Sequence, residues 1–185
     1  ISDLITKTVK TNTVPKSASQ AKEWFRAKAQ SLRSANPDTL LSNSKLQTSS
    51  KLEIGQMYLF NYDPKHKDEL PYYDRYPLIF PIGPADGGIL GINLHYLPPV
   101  YRGKLMDALY TTAITNKDDT VKTLNLSYDI LNSASRFAYF KPCVKHYLNS
   151  HIRSRLAKID PSDWDVAVFL PLQRFEKASA SKVYK

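Results

Sequence analysis

The sequence predicts an α+β fold: a small antiparallel sheet or half-barrel flanked by helices, with extended termini. Three observations carry this expectation. Met57-Tyr58-Leu59-Phe60, Leu78-Ile79-Phe80 and Ile89-Leu90-Gly91-Ile92 are short apolar runs rich in β-branched and aromatic residues, separated by turn signals. Asp86-Gly87-Gly88 supplies the backbone freedom of a hairpin turn, which makes the second and third strands antiparallel neighbours. Apolar residues at helical spacing recur on both sides of this region.

Taken in order, residues 1–16 are Thr-rich, with Lys7, Lys10 and Lys16 opposed only by Asp3, and read as a flexible basic arm. Ser17 or Ser19 caps a helix to about Arg33, in which Ala21, Trp24, Phe25, Ala29 and Leu32 form the buried stripe. Lys22, Arg26 and Arg33 project from an adjoining side, as an ordinary solvated face or as a row facing phosphates. Ser34 to Ser50 is a polar connector with a short helical turn, anchored by Leu40, Leu41 and Leu46. Between the first two strands runs a long loop, polar over Asp63–Glu69 and aromatic over Pro71–Pro77. Its second half is too aromatic for a solvated spacer and is expected to pack on the sheet.

The third strand ends at His95-Tyr96-Leu97-Pro98-Pro99, where the prolines stop the ladder and open a helix from Val100 to about Thr112. Leu105, Met106 and Leu109 face inward on it, and Arg102 and Lys104 outward. A polar loop over Thr115–Thr120 leads to Leu124, Leu126, Tyr128, Ile130 and Leu131, a strand-to-helix passage of mixed period. Pro142 opens a helix with Val144, Tyr147, Leu148, His151 and Ile152 inward and Lys141, Lys145 and His146 outward. Asp160, Pro161 and Asp163 then open a helix whose buried side is Trp164, Ala167 and Val168, with Phe175 as the last anchor. Residues 17–176 read as a single α+β domain and 177–185 as a tail.

The 185 residues carry a formal net charge of +9. Residues 1–53 hold +5 of it, 54–99 hold −2, 100–159 hold +6, and the remainder is neutral. Positive charge therefore flanks the sheet region, and a polyanion is the first partner class to weigh, nucleic acid ahead of membrane because no basic segment is also a long amphipath. No run of about eighteen apolar residues occurs, so no membrane-spanning helix and a soluble protein are expected. Residues 136–158 hold six Lys or Arg and no acid, with aromatics interleaved. Arg136, Lys141, Lys145, Arg153, Arg155 and Lys158 are the candidate phosphate contacts, and Tyr139 is the candidate to cover a terminal base pair. Such a patch predicts binding that weakens steeply with salt, although most of these aromatics also suit a core.

Catalytic signals are sparse. The lone Cys143 makes no intramolecular disulfide and fits a reducing compartment; it shares a helix face with His146, but no orienting Asn or Asp stands at a telling spacing, so a buried inert thiol is expected. His95 reads as a hydrogen-bonded packing residue. No cluster of Cys or His completes a zinc site, no phosphate-cradling glycine motif occurs, and neither cofactor nor metal is expected. Asp63, Asp68, Glu69 and Asp74 in the long loop leave a metal-dependent nuclease as a third reading.

Four blocks suggest a relationship: MYLFNYDPKHKDELPYYDRYPLIFPI, DGGILGINLHYLPPVYRGKLMDALY, SRFAYFKPCVKHYLNSHIRS and DWDVAVFLPLQRF. Across about Trp24 to Phe175 the chain resembles the DNA end protector protein family of large contractile-tailed bacteriophages. The resemblance implies a non-enzymatic virion protein, assembled in the host cytoplasm, which binds the ends of packaged double-stranded DNA during head completion and shields them from exonuclease. It transfers no catalytic residues and no DNA-contact positions. The alternative function is structural: an assembly protein of the phage neck, tail or baseplate that binds neighbouring virion proteins rather than DNA.

Overall fold

Antiparallel pairing of the three expected strands forms the middle of a larger sheet, and the helices cover one of its faces. The computed structural model describes residues 36–44, 46–115, 128–136, 138 and 140–184. The expected arm, the helix over 17–33 and its Trp24 and Phe25, as well as Leu124, Leu126, Phe137 and Tyr139, lie outside the described residues.

In chain order the described elements are α1 (Pro37–Ser42), β1 (Thr48–Ser49), β2 (Met57–Leu59), β3 (Tyr73–Asp74), β4 (Leu78–Ala85), β5 (Gly88–Asn93), α2 (Pro99–Thr115), α3 (128–134), β6 (Val144–Leu148), β7 (Leu156–Ile159), α4 (Trp164–Phe169), β8 (Phe175–Glu176) and α5 (Ala180–Val183). Six strands pair antiparallel in the order β1-β7-β2-β4-β5-β6, while β3 and β8 form a separate ribbon. The fold is α+β and its main sheet is not closed.

The β4–β5 hairpin turns at Asp86-Gly87, with Ala85 opposite Gly88 and Gly87 at φ +67°. Gly88 is needed for another reason: a Cβ there would lie 1.9 Å from the carbonyl oxygen of Tyr147 on β6. A register shift between Pro81 and Gly83 accommodates the prolines of β4, which cannot donate to a regular ladder.

Alternation along the strands divides the core in two. Leu78, Phe80 and Ile92 join α2 and α4 in the larger cluster, where Phe80 meets Trp164 edge to face at 4.8 Å. Ile79, Ile89, Tyr147 and Tyr58 face the other way and pack with Phe60, Tyr62 and Leu156. Strands β2, β4, β5, β6 and β7 all contribute to this second cluster. Tyr62, three residues past β2, bridges Ile152 and accepts the Leu148 N–H at 3.1 Å, so the connection from β6 to β7 runs beside residues 61–63.

Two expectations are corrected. The helix from Pro142 does not form: Lys141–Cys143 is a single 3-10 turn, and Val144–Leu148 becomes the edge strand β6, paired with β5 from Ile92↔Val144 to Gly88↔Leu148. Val144, Tyr147 and Leu148 satisfy helical spacing, but pairing with β5 buries Tyr147 and satisfies one side of the backbone ladder, which outweighs local preference. Arg102, expected outside, is 3% exposed. It lies one turn before Leu105 and Met106 on the same helix face, and its guanidinium donates to the carbonyls of Leu97 (2.7 Å), Val168 (3.0 Å) and His95 (3.1 Å) and to the Tyr184 hydroxyl (2.7 Å). The last of these bonds ties Tyr184, just past α5, to the core.

Candidate nucleic-acid interface

The acid-free stretch 136–158 folds into two regions of the sheet with three strands between them, because β6 is one edge and β7 lies next to β1. On the β7 side, Lys158 donates to Glu53 at 3.1 Å, and this partner holds the Glu53 carboxyl below its ordinary pKa. Arg155 donates through Nε to the Leu41 carbonyl at 2.5 Å and through Nη2 to that of Asn43. It thereby satisfies acceptors at the C-terminal end of α1, a role a cation fills well. Arg153 sits between these regions; its guanidinium lies 3.8 Å from Asp63, which also accepts from Lys67 at 2.9 Å. Acids distant in sequence, Glu53 and Asp63, thus approach a stretch that has none of its own.

In the segment that leads into β6, Arg136 and Lys141 are exposed, and Lys145 on β6 is half-buried. Pairing of Gly91 with Lys145 and of Ile89 with Tyr147 puts Lys145 and Tyr147 on the same face of β6, since opposed residues of an antiparallel pair share a face. Lys145 extends over the ring of Tyr96, with Nζ 4.4 Å from its centroid, and burial lowers the ammonium's pKa. Here the edge strand and the long loop enclose a cleft of about 300 Å³. Five tyrosines, Tyr62, Tyr72, Tyr73, Tyr96 and Tyr147, line it together with Lys65, His66 and Lys145.

The rings are held from behind. Tyr62 and Tyr147 meet edge to face at 5.0 Å, and Phe175 packs edge-on against Tyr96 at 5.2 Å. Tyr72 leans on Tyr96 at 6.1 Å. The loop is fixed by pairing of Tyr73 with Glu176 and by Lys177, whose Nζ donates to the carbonyls of Lys67 (2.6 Å), Asp68 (3.0 Å) and Leu70 (3.2 Å).

Below the cleft lies a buried polar chain. Asp74 accepts from the side-chain amide of Asn93 at 3.1 Å and from the backbone N–H groups of Tyr76 (3.2 Å) and Arg174 (3.1 Å). The oxygen that accepts from Asn93, Oδ2, also stands 2.7 Å from Nδ1 of His95, while Oδ1 takes the two backbone N–H groups. Burial pushes the His95 pKa down against the opposing pull of Asp74, so the ring is neutral and donates its Nδ1–H to the carboxylate. Asn93 also donates to the Tyr147 hydroxyl at 3.1 Å, which ties the ring to this chain. His95 is the hydrogen-bonded packing residue its sequence position implied.

The carboxylates of the long loop do not converge. Asp74 is committed to four donors, Asp63 pairs with Lys67, and Glu69 lies 3.6 Å from His66. Among the described residues no three His, Cys, Asp or Glu side chains are placed to hold a metal ion. Cys143 is buried, which pushes its thiol pKa up to about 12 and leaves little nucleophilic thiolate near neutral pH. No described helix is long and apolar enough to cross a membrane.

Of the candidate residues, the fold brings Lys145 into the tyrosine-lined cleft and Arg153 and Arg155 to two other clefts, leaves Arg136 and Lys141 exposed, and sets Arg155 and Lys158 on the β7 side, away from Lys145. Tyr139 lies outside the described residues. Sequence reasoning passed over Tyr62, Tyr96 and Tyr147 as site residues; the available signal was the aromatic run at Tyr72-Tyr73, too apolar for a free loop.

A sequence model of the family described as Phage T4 terminal DNA protecting protein matches residues 4–185. No curated protein and no solved structure matches the chain.

Proposed function

We propose, from the premise that this chain belongs to the family of phage T4 terminal DNA protecting proteins, that it is a non-enzymatic virion protein which binds the ends of packaged double-stranded DNA during head completion and shields them from exonuclease. The observation that carries this reading is the family match, which spans residues 4–185 and so includes every described element.

Protection in this reading is steric. Exposed Arg136 and Lys141, half-buried Lys145, and Arg153 with its distant carboxylate contact the phosphates, each neutralised phosphate releasing bound counterions. Arg155 and Lys158, held by Leu41, Asn43 and Glu53, serve the fold first. A terminus occupied in this way cannot enter an exonuclease.

The test is protection of linear duplex DNA from an exonuclease, with closed circular DNA as competitor and salt varied. End protection that the circle does not compete away, and that weakens steeply with salt, supports the reading; no protection at low salt overturns it. The partnered state of Arg155 and Lys158 favours a second reading, in which the basic surface meets acidic protein. A neck, tail or baseplate assembly protein binds a neighbouring virion protein and ignores free DNA.

A further inference from the structure

We propose that the tyrosine-lined cleft between the long loop and β6 receives an unpaired nucleobase from the DNA terminus, with Lys145 meeting the adjoining phosphate. This inference rests on the end-binding reading and adds how an end is told from internal duplex.

The cleft has the chemistry of a base pocket. Its volume of about 300 Å³ lies at the lower end of the roughly 300–1,000 Å³ of small-ligand sites, which suits one nucleotide rather than a folded partner. Tyrosine rings line it, and an exposed aromatic ring stacks on any base without sequence preference. Tyr72 and Tyr73 are half-buried and so remain partly open to a ligand, while Tyr62, Tyr96 and Tyr147 are packed beneath them. Its charge is positive where a phosphate would follow the base. Lys145, Lys65, His66 and His146 are the basic groups that line it, and the one lining carboxylate, Asp74, is turned to four donors behind the cleft. A proline-rich peptide also suits an aromatic groove, but it has no phosphate for these cations to meet.

Selectivity for ends follows from the cost of exposing a base. Taking a base out of an intact duplex breaks pairing and stacking on both sides, whereas a frayed or overhanging terminal nucleotide has lost much of that already. A pocket that holds one unstacked base is therefore occupied cheaply only at a terminus.

The experiment uses the full chain and a duplex carrying fluorescent aminopurine either in a one-nucleotide overhang or internally, alongside exonuclease protection of the same duplex. The overhang probe is expected to be quenched on binding and the internal probe to stay unchanged. Tyr72→Ala should weaken the overhang response about tenfold or more, and Tyr72→Phe should retain it. If Tyr72→Ala fails to fold, Lys145→Gln replaces it, with a weakened overhang response expected. Protection with equal response of the two probes overturns the base pocket and leaves end protection standing. Overhang quenching without protection upholds the pocket and overturns the protective role. Quenching of neither probe overturns the pocket outright.

Discussion

The β6 and β7 sides of the sheet come from one acid-free stretch of sequence, yet they present their cations differently. On the β7 side, Lys158 is taken up by Glu53, and Arg155 by the Leu41 and Asn43 carbonyls. On the β6 side, Lys145 lies against the ring of Tyr96 in an open cleft, and Arg136 and Lys141, which precede that strand, are exposed. The difference teaches that charge counted along a chain is not charge available to a ligand. What a cation can do depends on which acceptors the fold brings to it from elsewhere.

Four substitutions separate the two sides. The largest effect is expected below the cleft: Asp74→Ala takes one of two acceptors from the Asn93 amide and removes the acceptor of the His95 Nδ1–H and of two backbone N–H groups. It should cost about 3 kcal/mol or more in urea unfolding. Next, Arg155→Ala should lower stability by ~1–2 kcal/mol through its two carbonyl bonds, with DNA affinity unchanged in a titration. Lys145→Gln should do the reverse: stability nearly unchanged, and the salt dependence of DNA binding flattened by about one unit of slope, as loss of one phosphate contact requires.

The smallest effect is expected at Glu53. Its pKa is lowered from 4.5, so the pair with Lys158 adds stability above that value and loses it as pH falls through the lower folded pKa. Glu53→Gln should therefore unfold slightly earlier than the parent protein at pH 7 and converge with it in acid, measured as urea midpoints. The His95 shift acts with a different window. Because burial depresses the pKa of this base in the folded state, the unfolded chain takes up the extra proton as pH falls through about 6.5. Stability should decline below that pH, and a flat urea midpoint between pH 7.5 and 5.5 would contradict the buried neutral ring.

Much of the sheet was legible in the sequence. Leu78-Ile79-Phe80 and Ile89–Ile92 are dense in β-formers, and Asp86-Gly87 between them leaves a two-residue turn as the simplest connection. The β6 strand was not, because Val144, Tyr147 and Leu148 fit a helix face as well as a strand, and the deciding partner, Ile89–Ile92, is more than fifty residues away. Arg102 misled for a related reason: at the start of a helix a charged residue reads as exposed, and only the fold gathers four acceptors around it. The cleft was half visible. Tyr72-Tyr73 announced packing, but Tyr96 and Tyr147 join them only through β5–β6 pairing and the His95–Asp74 contact.

The most direct test of the account is exonuclease protection of linear duplex DNA by the parent protein, Lys145→Gln and Arg155→Ala, each checked for folding. The account requires protection by the parent protein, weaker protection by Lys145→Gln and undiminished protection by Arg155→Ala at a temperature where both are folded. Loss with Arg155→Ala and retention with Lys145→Gln would place the DNA on the β7 side and contradict it, and no protection by any of the three would remove its premise about DNA ends.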